Sequence, residues 1–206
     1  MGIRERIKAA SGRKLGRLWQ RAAEVANVET HEIVIILATS GYYDLFANFL
    51  CSVSSLNFPH LMVLTSDEDI AQLARSMGAG VYYLENDETV LDSFADFGTL
   101  PYQELILFRT KTVMNLLTLG FRVLVSDIDT VWLSNPLHAV KLELAYQPAD
   151  LVITDDNGEV CGCFVYLDYT EKALIFWNNI LRGHQEIILF SHLNNSGLLP
   201  NFHMSE

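Results

Sequence analysis

Glu32 to Thr39 reads EIVIILAT, a short β-branched apolar run with Ser40-Gly41 directly behind it. Such a run has no polar face to offer water, so it suits a strand covered on both sides, as in a parallel sheet. The pattern recurs along the chain. His60 to Thr65 (HLMVLT), Gly80 to Leu84, Phe121 to Ser126 (FRVLVS), Asp150 to Thr154 (DLVIT) and Gly162 to Leu167 (GCFVYL) read as further strands. Between them lie stretches with helical spacing: Tyr43 to Ser55, Asp67 to Met77, Tyr102 to Leu119 and Thr170 to Arg182. Ser66 or Asp67 suits a helix N-cap, and Gly120 a C-terminal stop. Strands alternating with helices predict an α/β fold, a mostly parallel sheet flanked by helices. In such sheets ligands bind beyond the carboxyl ends of the strands, which directs attention to 39–43, 66–69 and 126–130.

The net charge is −11, which argues against nucleic acid as a partner. The charge is uneven. Arg4, Arg6, Lys8, Arg13, Lys14, Arg17 and Arg21 face only Glu5 in the opening segment, so a basic leader precedes an acidic body. Ile3, Ile7, Leu15, Leu18, Ala22 and Val25 recur at helical spacing among those cations. Residues 1–30 are therefore expected as a basic amphipathic leader or stem, with residues 1–26 suited to peripheral contact with an anionic membrane. No signal peptide and no spanning segment is visible in this chain. Cys51, Cys161 and Cys163 make no framework and no zinc-type set, and are expected as small buried residues.

The sharpest chemistry lies at Val123–Pro136, VLVSDIDTVWLSNP. Asp127 and Asp129 are two residues apart, so an extended backbone sends both carboxylates to one face. They stand where an apolar strand emerges. Adjacent carboxylates repel unless a cation neutralises them, and hard oxygen ligands suit Mg²⁺ or Mn²⁺. The chain has neither GxGxxG nor GxxxxGK[ST], so neither a dinucleotide fingerprint nor a P-loop is present.

The stretch GFRVLVSDIDTVWLSNPL resembles the metal-binding segment of nucleotide-diphospho-sugar transferases of the glycosyltransferase family 77 type. IILATSGYYDLFANFLCSV, MVLTSDEDIAQLARSMGAGVYYL, VCGCFVYLDYTEKALIFWNNIL and HQEIIL resemble the family's other segments, in order, from about residue 32 to 200. The resemblance implies a GT-A-type, Rossmann-like fold over residues 31–206, ending short at the C-terminus. It implies a Golgi enzyme, in the lumen or at the membrane, that moves a pentose or galactose from a UDP-sugar to a hydroxyl of a glycan or glycoprotein, with Mn²⁺ or Mg²⁺ and with retention. By the same resemblance Asp129 and Asp127 are metal ligands, with Asp127 also near the ribose. Thr39, Asp67 and Lys111 belong to the nucleotide-sugar site, and Gln185 is the catalytic candidate beside the transferred sugar.

The sequence departs from the family in three places. His184 stands where an Asp precedes the Gln, Cys163 replaces a small Gly, and no later third metal ligand is evident beyond His192 or His203. These departures keep open a catalytically inactive, nucleotide-sugar-binding descendant. VLVSDIDTVW also resembles the opening of haloacid dehalogenase-type phosphohydrolases, with Asp127 as nucleophile, Asp129 as acid/base, Thr130 in support and Asp155-Asp156 as a final acidic motif. The three strand–helix units ahead of it disfavour that order. Asn194-Asn195-Ser196 is a glycosylation sequon.

Overall fold

The structure is a computed structural model that describes residues 13–84 and 95–195. Its elements are α1 (Arg13–Val25), β1 (Glu32–Leu37), α2 (Tyr43–Ser54), β2 (Leu61–Thr65), α3 (Glu68–Ser76), β3 (Gly80–Tyr83), α4 (Leu100–Leu119), β4 (Arg122–Ser126), α5 (Pro136–Tyr146), β5 (Leu151–Asp156), β6 (Glu159–Leu167) and α6 (Glu171–Asn195). The strands form one sheet in the order β3-β2-β1-β4-β6-β5. The first four are parallel, with Val34 opposite Leu61 on one side of β1 and Leu124 on the other. This is the expected mixed α/β, GT-A-like architecture.

The apolar runs are covered on both faces, as their composition requires. One face buries Ile33, Ile35, Met62, Leu64, Val123 and Val125 under α1, α4 and α6. The other buries Val34, Ile36, Val63, Leu124 and Tyr166 under α2, α3 and α5. Each buried Val, Ile or Leu contributes roughly 1.5–3 kcal/mol, so the two layers, not the helices' own propensities, hold the sheet.

Three features differ from expectation. β5 and β6 run antiparallel, because Asn157 (φ 56°) and Gly158 (φ 91°) close a two-residue hairpin between them. Helix α5 was not expected at all; Asn135 caps it by accepting from the Leu137 N–H, and Pro136 opens it. Helix α6 runs past Arg182 to Asn195. Within the segment expected as a leader or stem, α1 packs against the sheet. Leu18, Ala22 and Ala26 are buried with the sheet's core, and β3 comes so close that a Cβ on Gly80 would lie 2.2 Å from Val25 Cγ2. The basic residues before Arg13, the acidic segment 85–94, Ser196 of the sequon and His203 lie outside the described residues. Among the described residues no helix is long and apolar enough to cross a membrane.

Candidate functional site

The chain leaves β1 toward β2 and β3 on one side, and later returns to place β4 on the other. The carboxyl ends of β1 and β4 therefore border the crevice where the connections diverge, the usual ligand position in an open α/β sheet. Thr39 follows β1 and Asp127 follows β4, and both line a cavity of about 260 Å³ together with Tyr42, Tyr102, Arg109 and Asp129. A second cavity of about 550 Å³ adjoins it and shares Phe97, Tyr102, Ile106, Arg109 and Asp127. The two form one cleft, with Asp127 and Arg109 at the divide.

The turn after β4 is held rigidly. The Asp127 N–H donates to the Cys163 carbonyl on β6 at 2.9 Å. The Asp127 carbonyl accepts from Thr130 Oγ1 at 2.8 Å and from Ser126 Oγ at 3.1 Å. The Asp127 carboxylate is then gripped by the Arg109 guanidinium of α4. Arg109 is 13% exposed and Asp127 35%, so this charge-assisted pair is shielded more than a surface ion pair. Asp129 is exposed beside it, and its carboxylate has no hydrogen-bond or ion-pair partner among the described residues.

Helical phase decides which α4 residues reach the cleft. Tyr102, Ile106 and Arg109 are spaced i, i+4, i+7 and share one face. Burial comes first in raising the Tyr102 hydroxyl pKa; Arg109 opposes it, while Asp127, Tyr42 and Asp129 add to it. Tyr102 therefore stays a neutral phenol that can donate a hydrogen bond. Lys111, two residues beyond Arg109, is exposed and lines neither cavity. The cation that meets Asp127 is Arg109, not Lys111.

The other expected residues separate similarly. The Thr39 hydroxyl is buried in the cleft wall without a hydrogen-bond partner among the described residues. A buried hydroxyl left unpaired is costly, so this oxygen suits a polar ligand atom. Asp67 lies outside both cavities. Its carboxylate accepts from the N–H groups of Ser40 (3.1 Å), Asp69 (3.0 Å) and Ile70 (3.4 Å), capping α3 and tying the β1 exit to it. Burial alone would raise its pKa; the hydrogen bonds from Ser40, Ile70 and Asp69 prevail and hold it below the ordinary value. Gln185 is exposed, whereas its neighbour His184 lines the larger cavity, on the α6 face that also carries Trp177 and Ile180.

Cys161 and Cys163 form a disulfide on β6 along the larger cavity, so they are paired cysteines and not merely small buried residues. Cys51 is exposed. Asp155 and Asp156 belong to the hairpin, where Asp155 Oδ1 accepts from the Gly158 N–H at 2.6 Å, and neither lines the cleft. Among the described residues no three His, Cys, Asp or Glu side chains are grouped to hold a metal, and His192 lies 3.9 Å from Glu104 instead. Two carboxylates still match the way Mg²⁺ is held, by one or two protein carboxylates with the remaining positions taken by substrate phosphate and water. Asp127 and Asp129 fit that donor set.

Residues 56–186 match the family described as nucleotide-diphospho-sugar transferase. Among curated proteins, the Arabidopsis thaliana beta-arabinofuranosyltransferase RAY1 is 30% identical over 127 residues, covering 61% of this chain and 23% of that protein. A UDP-D-xylose:L-fucose alpha-1,3-D-xylosyltransferase of the same plant is 27% identical over 177 residues, covering 76% and 48%. Its arabinosyltransferase RRA2 is 26% identical over 146 residues, covering 71% and 32%. The chain thus spans less than half the length of each of these relatives. With the matched segment carrying most of the cleft, including Arg109, Asp127 and Asp129, the chain belongs to the nucleotide-diphospho-sugar transferase family.

Proposed function

We propose that the chain is a UDP-sugar-dependent glycosyltransferase that moves a pentose or galactose to a hydroxyl of a glycan or glycoprotein acceptor in the Golgi. The observation that carries this reading is the placement of Asp127 and Asp129 at the carboxyl end of β4, in a cleft that Thr39 also lines. The names of the relatives support pentose transfer.

On this reading the smaller cavity takes the nucleoside, with Tyr42, Tyr102 and Thr39 around it, and the larger takes the transferred sugar and the acceptor. Asp127 and Asp129 would hold a divalent cation, whose chemistry is Lewis-acid stabilisation of the charge that develops on the leaving diphosphate. Such a cation would offset the repulsion between an anionic substrate and a chain of net charge −11. Arg109 sits at the divide between the cavities, where its guanidinium donates hydrogen bonds to diphosphate oxygens. During transfer the bond from the anomeric carbon to the diphosphate oxygen breaks. The acceptor oxygen bonds to that carbon on the same face, and its proton leaves with the UDP.

Calorimetric titration of UDP into the purified chain, with Mn²⁺ and with EDTA, tests this reading. Binding that requires Mn²⁺ and disappears in Asp129→Ala is the expected result. UDP binding that is indifferent to both, or no binding at all, overturns it.

A further inference from the structure

The larger cavity contains a polar group that the proposed chemistry has not used. On α6, Phe176, Trp177, Ile180 and Ile187 give the cavity an apolar wall, and His184 is set among them. Its Nδ1 lies 3.0 Å from Thr110 Oγ1 on α4. That hydroxyl also donates to the Ile106 carbonyl one turn back, at 2.8 Å. A hydroxyl has one proton, so with it committed to Ile106 the oxygen faces His184 as an acceptor. Nδ1 must then carry the imidazole proton, and Nε2 presents a lone pair. No other described residue hydrogen-bonds Nε2. The two helices are pinned at this level, because Trp177 Nε1 donates to the Thr110 carbonyl at 3.0 Å.

The charges nearby favour the same state. Burial, and then the Arg109 guanidinium facing the ring from α4, push the imidazole pKa below its ordinary value, so the ring is neutral at pH 7. Arg109 and the Asp127 that it grips are the charged groups on this side, and the β6 wall opposite carries the Cys161–Cys163 disulfide, which does not titrate. The cavity thus offers a strong donor, Arg109, and a directed acceptor, Nε2. Sugar hydroxyls both accept and donate.

We propose that His184 Nε2 accepts a hydrogen bond from a hydroxyl of the sugar bound in the larger cavity, and that Thr110 fixes the tautomer that makes this possible. His184 is a specificity-determining residue in this scheme and Thr110 a positioning residue. The inference rests on the nucleotide-sugar reading above and deepens it.

The test separates the two. Asparagine places an amide near Nδ1 and nothing at Nε2; glutamine places its amide near Nε2. UDP, UDP-xylose, UDP-arabinofuranose and UDP-galactose are titrated into the full chain with Mn²⁺, and transfer is followed at varied acceptor sugar. For His184→Asn we expect unchanged UDP affinity. We also expect about a tenfold loss in the preference for a UDP-sugar over UDP if the hydroxyl belongs to the donor, or a similar rise in acceptor KM if it belongs to the acceptor. His184→Gln should recover most of either loss. Thr110→Val should reproduce it and Thr110→Ser should not. Nitrogen-15 spectra of the imidazole should report the Nδ1–H tautomer. An Nε2–H tautomer, or a His184→Asn variant that matches the unsubstituted chain in both arms, overturns the proposal. Failure of UDP to bind at all overturns the reading beneath it, and the tautomer then stands or falls on the spectra alone.

Discussion

At the scale of single residues, the cleft is decided by which cation meets Asp127. Arg109 and Lys111 lie two positions apart on α4, about 200° around the helix, so one faces the cleft and the other faces water. Arg109→Ala removes a donor aimed at the diphosphate and leaves the Asp127 carboxylate without its partner. We expect kcat to fall on the order of 10²-fold in a transfer assay, the loss typical of one such donor. Lys111→Ala should change stability by less than about 0.5 kcal/mol and leave kcat within twofold, as an exposed substitution does. A large effect at Lys111 with none at Arg109 would reverse this assignment. The resemblance implies the lysine because a motif carries position in the chain and not helical phase. Tyr102 and Ile106 share a face with Arg109, and that spacing was readable. What the sequence could not reveal is that α4 sets this face beside the end of β4.

At the scale of elements, the caps and turns explain what was legible and what was not. The parallel strands were readable because burial on both faces leaves continuous β-branched runs, and β4 with its two acids was the clearest. Asn157-Gly158 is a favoured two-residue hairpin turn, but the apolar runs on either side of it carry no mark of strand direction. Helix α5 is signalled only by Asn135-Pro136, an N-cap followed by a favoured first residue, because just Pro136, Leu137 and Val140 of it are buried and they write no long apolar stripe. Two measurements check these devices. Gly158 has φ 91°, so Gly158→Ala should cost about 1–2 kcal/mol in urea unfolding without touching the cleft. Asp67→Ala should cost about 1–2 kcal/mol at pH 7, since it removes the α3 cap and the tie to Ser40. The Asp67 pKa is lower folded than unfolded, so its contribution is complete above the ordinary aspartate pKa and fades as pH falls through the folded value. The gap between Asp67→Ala and the unsubstituted chain should therefore close in acid. A gap that stays constant down to pH 2 would mean that the carboxylate's charge is not what caps the helix.

At the scale of the whole molecule, the question is where the folded unit begins. Charge asymmetry marks off residues 1–30, but charge reports the solvent-facing side of a helix and not the side that is buried. Helix α1 leaves Lys14 and Arg21 exposed while Leu18 and Ala22, with Ala26 just beyond the helix, complete the layer that also contains α4 and α6. The layer matters to the cleft, because α4 carries Arg109 and is supported from behind by that packing. Its contact with β3 is close enough that Gly80 admits no side chain without displacing Val25. Leu18 is 2% exposed, and Leu18→Ala should destabilise the chain by about 2–5 kcal/mol, the cost of emptying a packed core position. The loss should appear as a lower midpoint in a single urea transition, shared by far-UV circular dichroism and tryptophan fluorescence. Gly80→Val should weaken the same contact by about 1–3 kcal/mol through overpacking. A detached stem makes the opposite prediction, that both substitutions leave the midpoint unmoved while the transition of the sheet stays intact. If α1 is a layer of the domain, Leu18→Ala should also weaken Mn²⁺-dependent UDP binding near the midpoint, since binding is linked to the folded population.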